Sequence, residues 1–263
     1  MQDIDNKLNT LIKKLSAERK EKLNFDFEKY SFEKRFNLLR FYMNLRPAKP
    51  LTSEVMELQD DILKYVLKKR NIIDVMTLQE NEPGISLYQG DITTLKADAI
   101  VNAANSAMQG CFMPGHNCID NVIHTYAGMQ LRLFCHDLIR QRKAELATGD
   151  ALITPAFNLP ALYVIHTVGP IIFTKVDDTK CTELKNSYLN SLKLACDYKL
   201  KSIVFPCIST GEFHFPQDLA AQIAIDTIRS FLKGNNYKIK VIFNVFKDSD
   251  ATIYRRLLDK NAN

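Results

Sequence analysis

The sequence predicts an α/β fold, a mostly parallel sheet flanked by helices, preceded by a helical segment. Three observations carry this. From Ile85 onward, short apolar runs of strand length alternate with longer segments of helical periodicity. Before residue 80 the alternation is missing, and apolar residues recur at spacings of three and four. Between the two textures, "ENEPG" at residues 80–84 is a turn signal. The expected division is a helical extension over 1–82 and an α/β unit over 83–263.

In the extension, Leu8, Leu11, Ile12 and Leu15 mark one helix, and Phe32, Phe36, Leu39 and Met43 a second. "RPAKPLTSEV" interrupts the pattern: Pro47 and Pro50 stop the second helix, and Thr52 or Ser53 caps the helix that runs through "VMELQDDILKYVLKKR". Two or three helices are expected. The strands of the second unit are "ISLYQG", "ADAIVNAAN", "DALITPA", "LYVIHTVGP", "SIVFPCIS" and "KIKVIFNVF". Its helices are "NCIDNVIHTYAGMQLRLFCHDLIR", "CTELKNSYLNSLKLACDYKL" and "FPQDLAAQIAIDTIRSFLKG".

Composition narrows the function classes. With 263 residues, 46% of them hydrophobic, the chain fills a core without staples. No apolar run has the length of a membrane span, and the first twenty residues mix charged with apolar ones where a secretory signal needs an unbroken apolar block. A cytoplasmic protein is therefore expected, with its six cysteines reduced, buried or metal-bound. The net charge of +5 is mild, and over residues 1–80 the 16 Lys and Arg are interleaved with 13 Asp and Glu. Nucleic-acid binding through the extension is accordingly not expected.

In a sheet of this kind ligands bind beyond the carboxyl ends of the strands. Ser209, Thr210 and Gly211 follow "SIVFPCI" and precede a helix, a place where backbone amides converge on an anion such as a pyrophosphate. An ordinary strand-to-helix turn fits the same letters. There is no Gly-Lys-Ser/Thr and no triplet of spaced glycines, so neither a P-loop nor a dinucleotide fingerprint is present. Asp91 in "GDIT" either accepts from the amino group of a base or caps the following turn. Asn102 and Asn105 offer donors and acceptors for sugar hydroxyls, or simply turn the chain.

Cys111, His116 and Cys118 lie in one loop that ends at a helix N-terminus. Two sulfurs and an imidazole suit zinc with one coordination position open; a disulfide and unremarkable buried cysteines are the alternatives. No second pair of ligands nearby would close a zinc finger. Asp120, in the first turn of that helix, either serves a reaction beside the metal or complements the helix dipole. Asn121 is a candidate outer partner of the site. His124, His136 and His166 read as packed histidines, and His214 as a residue of the pocket rim.

Taken in order, "GDIT", "DAIVNAANS", "IHTVGP" and "ISTGEF" resemble a macrodomain, the module that binds ADP-ribose, over roughly residues 84–260. "GCFMPGHNCIDN" departs from the usual glycine-rich loop and resembles the zinc-containing macrodomains of bacteria and fungi, which also carry a helical N-terminal extension and often occur beside a sirtuin-like ADP-ribosyltransferase. The resemblance implies a three-layer α/β/α fold with a mixed, mostly parallel sheet. It implies Asp91 and Ile92 at the adenine end with Phe246 near the ring, although Phe246 also fits a core aromatic at a strand end. Ser209, Thr210, Gly211, Glu212 and Phe213 would surround the diphosphate, and Asn102 and Asn105 the distal ribose.

It further implies Zn²⁺ on Cys111, His116 and Cys118, and a catalytic Asp120 assisted by Asn102 and Asn105. The activity expected from the resemblance is hydrolytic removal of mono-ADP-ribose from a protein side chain, such as an aspartyl ester. The alternative is a reader that binds ADP-ribose without cleaving it. The family's neighbours suggest a lipoyl-carrier protein, modified by the companion transferase, as substrate.

Overall fold

The computed structural model describes residues 2–235 and 237–259. The expected outer limits, Met1 and Asn263, lie outside the described residues. Three helices form the extension: α1 (Gln2–Glu18), α2 (Phe32–Leu45) and α3 (Ser53–Lys68). Ser31 and Thr52 cap α2 and α3 by accepting from the amides of Lys34 and Val55. The apolar stripes meet in one cluster of Leu8, Leu11, Ile12, Leu15, Phe36, Leu39, Ile62 and Leu63, each removed from water.

Beyond α3 come β1 (Ile73–Asp74), β2 (Ile85–Gln89), β3 (Leu95–Lys96), β4 (Ala99–Ala103), α4 (Ile119–Ala127), α5 (Met129–Arg142), β5 (Ala151–Pro155) and β6 (Tyr163–Thr167). The remainder is α6 (Asp178–Asp197), β7 (Ser202–Phe205), α7 (Gln217–Gly234), β8 (Lys240–Val245) and α8 (Asp248–Asp259). The main sheet has the order β2-β8-β7-β4-β6-β5, parallel throughout except for β5, which runs antiparallel to β6. It is mixed and mostly parallel, as the resemblance implies. A second, two-stranded parallel sheet pairs β1 with β3 across the expected 82/83 division.

Alternation along the strands builds two cores. Val101, Ile165, Ile203, Val241 and Phe243 point to the side covered by α6, α7 and α8. Ile100, Val164, Val204 and Ile242 point to the side covered by α4 and α5. The extension packs outside α4 and α5, with Tyr126 and Met129 joining its cluster.

Two elements differ from the sequence reading. The single helix expected over residues 117–140 is two, broken at Gly128, whose φ of +99° is open to glycine. Gln59 of α3, fully buried, fills the break: its Oε1 accepts from the Met129 amide at 2.7 Å, capping α5 from another part of the chain. The other is α8, whose Ala251, Tyr254 and Leu258 are buried against the sheet. No helix among the described residues is long and apolar enough to cross a membrane.

Candidate functional site

The candidate residues gather along the carboxyl edge of the sheet. Beyond β2, Asp91 Oδ1 accepts from the Thr93 amide at 2.8 Å and from Thr93 Oγ1 at 2.7 Å, which is the capping role. Its Oδ2 accepts from Arg70 Nη2 at 2.5 Å. The Arg70 guanidinium in turn lies over the Tyr126 ring, 4.2 Å from its centroid. Ile92 is buried beneath this corner. Phe246, just past β8, is 76% exposed, so it is no core aromatic; its neighbour Val245 pairs with Gln89 and accepts from the Gly90 amide, which puts Phe246 at the same end of the sheet as Asp91.

Beyond β7, Ser209 takes φ of +66°, and its buried Oγ has no protein partner among the described residues. Gly169 makes room for it: a Cβ there would stand 2.0 Å from that oxygen. The loop closes with the Phe215 amide donating to Ser209 O at 2.9 Å and the His214 amide donating to Gly211 O at 3.0 Å. The amides of Gly211, Glu212 and Phe213 donate to no protein acceptor among the described residues, and a Cβ on Gly211 would meet nothing within 4 Å. A loop with free amides and open space beside Gly211 suits an anion.

Beyond β4, Asn102 and Asn105 converge on Asp120. Asn102 Nδ2 donates to Asp120 Oδ1 at 2.8 Å, and Asn105 Nδ2 donates to Oδ2 at 3.3 Å and to Gly110 O at 3.0 Å. With both amide nitrogens engaged, the side-chain oxygens of Asn102 and Asn105 are left buried and unpartnered, suited to hydroxyl donors. Burial pushes Asp120 up to about 6 against the opposing effects of the Asn102 hydrogen bond and the Arg132 charge.

Under this network His124 and His166 are buried, but His124 is not hydrogen-bonded as a packed histidine is expected to be: neither of its ring nitrogens has a hydrogen-bond partner among the described residues. His166 Nδ1 lies 3.2 Å from Asn102 Nδ2 and its Nε2 lies 3.0 Å from Thr154 Oγ1, and desolvation lowers it to about 3. His124, with Nε2 3.6 Å from Asp120 Oδ1, is lowered well below its ordinary value by burial first and by His166 and Arg132 next. Cys135 joins the two rings, its Sγ 3.7 Å from His166 Nε2. His136 Nδ1 meets Gln109 Nε2 at 3.3 Å, and His214 is exposed with φ of +56°.

The loop ahead of α4 brings one donor atom each from Cys111, His116 and Cys118 within 4.8 Å of one another. Cys111 Sγ and His116 Nδ1 stand 3.5 Å apart. Bond lengths of about 2.3 Å to sulfur and about 2.0 Å to nitrogen place two tetrahedral donors roughly 3.5 Å apart, so the pair fits one shared zinc ion. His116 Nε2 remains free to face Glu212 Oε1 at 3.5 Å, as the outer nitrogen of a ligating histidine does. Cys118 caps α4 through its sulfur, which accepts from the Asn121 amide at 3.4 Å. Desolvation pushes the Cys118 thiol up to about 12. All six cysteines are free, Cys111 and Cys118 among them.

Sequence reasoning missed the extension's share of the site. Arg70 reaches Asp91, and Arg40 reaches the loop at His116 O, Asn117 Oδ1 and Asn121 Oδ1. Both sit among interleaved charges that carry no local signal.

A three-layer α/β/α module with its candidate residues at the carboxyl edge of the sheet is the class that fold and site define. The chain belongs to the macro domain family. The family model, "Macro domain", matches residues 101–224. A protein-ADP-ribose hydrolase of Treponema medium is 47% identical over 225 residues, covering 84% of this chain and 86% of the relative. One from Staphylococcus aureus is 46% identical over 235 residues, 88% of each chain. Among solved structures, the Oceanobacillus iheyensis macrodomain with ADP is 38% identical, with a TM-score of 0.62 over 67% of this chain and 90% of that one.

Proposed function

We propose that this chain is a zinc-dependent hydrolase that removes mono-ADP-ribose from modified protein side chains, acting on a carboxylate linkage such as an aspartyl ester. One observation carries the reading: the Cys111, His116 and Cys118 donors cluster beside the carboxylate network of Asp120, Asn102 and Asn105. The hydrolase names of the relatives from Treponema medium and Staphylococcus aureus support it. Zn²⁺ held by the two sulfurs and the imidazole would supply Lewis-acid chemistry beside the distal ribose.

The protein's own groups do the rest. Asp91 and Ile92 meet the adenine, with Phe246 across the ring. Amides of Gly211, Glu212 and Phe213 hold the diphosphate, far from the reacting bond, and so fix its orientation. The free oxygens of Asn102 and Asn105 accept from ribose hydroxyls. Asp120 Oδ2, the oxygen with the longer amide contact, accepts the proton of the attacking water. The water oxygen bonds to the ribose carbon as that carbon's bond to the ester oxygen breaks, free ADP-ribose and the side-chain carboxylate leave, and the proton on Asp120 passes to solvent.

A reader module that binds ADP-ribose without cleaving it draws on a different observation, that both Asp120 oxygens already accept from amides. Turnover separates the two. Purified protein with measured zinc content is mixed with a defined mono-ADP-ribosylated protein, and release of ADP-ribose is followed. Release that stops when zinc is stripped and returns on its addition is expected. Tight ADP-ribose binding with no release would favour the reader, and full release without metal would reject the zinc role.

A further inference from the structure

The eight-residue segment from Cys111 through His116 to Cys118 forms no regular element, yet three side chains within it must meet. Fixing backbone conformation costs entropy at every residue, so something has to order the loop beforehand. The hydrogen bonds identify what does so. Asn44, on α2, accepts from the Gly115 amide at 3.1 Å while its own amide donates to Thr125 Oγ1 at 3.3 Å. Arg40, one turn earlier on α2, donates to His116 O at 2.5 Å, to Asn117 Oδ1 at 3.1 Å and to Asn121 Oδ1 at 2.9 Å.

Asn121 then passes the constraint on. Fully buried, it donates through Nδ2 to Cys111 O at 3.3 Å and Met113 O at 3.0 Å, and through its backbone amide to Cys118 Sγ at 3.4 Å. The Arg40 guanidinium fixes which end of the Asn121 amide is the acceptor and therefore which end reaches the loop. Every one of the three candidate ligand residues is thus tied, directly or through Asn121, to a helix of the extension. A guanidinium serves here because its fork meets three acceptors in different directions, which a single ammonium does not.

We infer that α2 is the template of the candidate zinc loop and that Arg40 is its positioning residue. The inference rests on the zinc reading above. The extension is then part of the metal site rather than an appendage to the α/β unit.

The test compares the full chain with Arg40→Ala, Arg40→Lys and, as control, Asn37→Ala, an exposed position on the same helix. Zinc affinity is measured by competition with a chromophoric chelator. Amide hydrogen exchange over residues 112–117 is measured on metal-free protein. Outer partners of metal ligands typically contribute 10–100-fold in affinity, and Arg40→Ala is expected to weaken zinc binding by about that factor. The loop amides should exchange faster while amides in β4 and β7 are unchanged. Arg40→Lys, which keeps the charge and loses the fork, should weaken zinc at least several-fold, and Asn37→Ala should match the parent.

Zinc held by Arg40→Ala as tightly as by the parent would overturn the inference and leave the zinc reading standing. A parent protein that takes up no zinc would remove both. Loss of protection spread evenly over the sheet in Arg40→Ala would show a general structural role and likewise overturn it. If Arg40→Ala does not fold, Arg40→Lys decides alone: unchanged zinc affinity in that variant sinks the idea.

Discussion

Asn102 Nδ2 donates to Asp120 Oδ1 across 2.8 Å, from the carboxyl end of β4 to the first turn of α4. The bond leaves the Asn102 oxygen buried without a partner and holds an aspartate that is only 6% exposed. Asp120 aims two amides, and under the proposed function it also accepts a proton. Asp120→Ala removes both and is expected to lower release of ADP-ribose by at least the 10²-fold typical of a lost general base. The contacts at Asp91 and the Gly211 loop are untouched, so ADP-ribose binding, read by calorimetry, should fall by less than tenfold. Turnover within tenfold of the parent would refute the assignment of Asp120.

The donor set at Cys111, His116 and Cys118 gives a second expectation. Elemental analysis should find one zinc per chain, and Cys111→Ala/Cys118→Ala should contain none, because one imidazole alone holds zinc poorly. The double variant is expected to keep its fold, since both residues lie in a loop only half-removed from solvent. Normal release by this metal-free protein is the outcome that counts against zinc.

Gly211 separates binding from folding. Nothing in the protein opposes a side chain there, so Gly211→Val should change unfolding free energy by no more than about 0.5 kcal/mol, as for an ordinary surface substitution. The same side chain stands in the space proposed for the diphosphate. ADP-ribose affinity should fall at least tenfold, and unchanged affinity would move the diphosphate elsewhere.

The strands of the central sheet were legible because β4, β7 and β8 are covered on both faces and therefore read as unbroken apolar runs. Their carboxyl ends were legible for the same reason, which is how Asn102 and Ser209 could be found. The order of the strands was not: nothing local to "KIKVIFNV" says that it lies between β2 and β7. The break at Gly128 escaped notice because helical periodicity continues on both sides of it, and the residue that stabilises it, Gln59, lies 70 positions before Met129. Arg40 escaped for a similar reason, being 76 positions from His116. Local pattern reports what a segment buries and says little about which distant side chain will satisfy its polar groups.

Gln59 makes that long-range contact measurable. Its Oε1 meets the first amide of α5, and a Cβ on Gly128 would stand 2.6 Å from its Nε2, so the amide fills the break completely. Gln59→Ala leaves a buried amide without its acceptor and opens a cavity; the unsatisfied group alone is expected to destabilise by about 1–3 kcal/mol in chemical denaturation. Removing residues 1–82 should likewise give an unstable or insoluble protein, because Tyr126 and Met129 lose their covering. A truncated chain that is soluble, folded and defective on protein substrates alone would instead mark the extension as a docking element.

His166 gives the pH dependence. Burial lowers it to about 3 in the folded chain, against about 6.5 when unfolded, so the unfolded state binds the extra proton. A depressed pKa contributes stability that is complete above pH 6.5 and is lost as pH falls toward 3. Around the ring stand Asn102, Thr154, Cys135 and His124, with Arg132 acting on His124, and Asp120 beyond; Asp120, raised to about 6, acts in the opposite sense as it protonates. Comparing the protein with His166→Gln cancels what the two share, including any metal. The stability difference between them should narrow by about 1.4 kcal/mol between pH 7.5 and pH 5.5, the amount one proton taken up by the unfolded chain is worth over that interval. A difference that stays constant across those pH values would mean that His166 is not held neutral in the core.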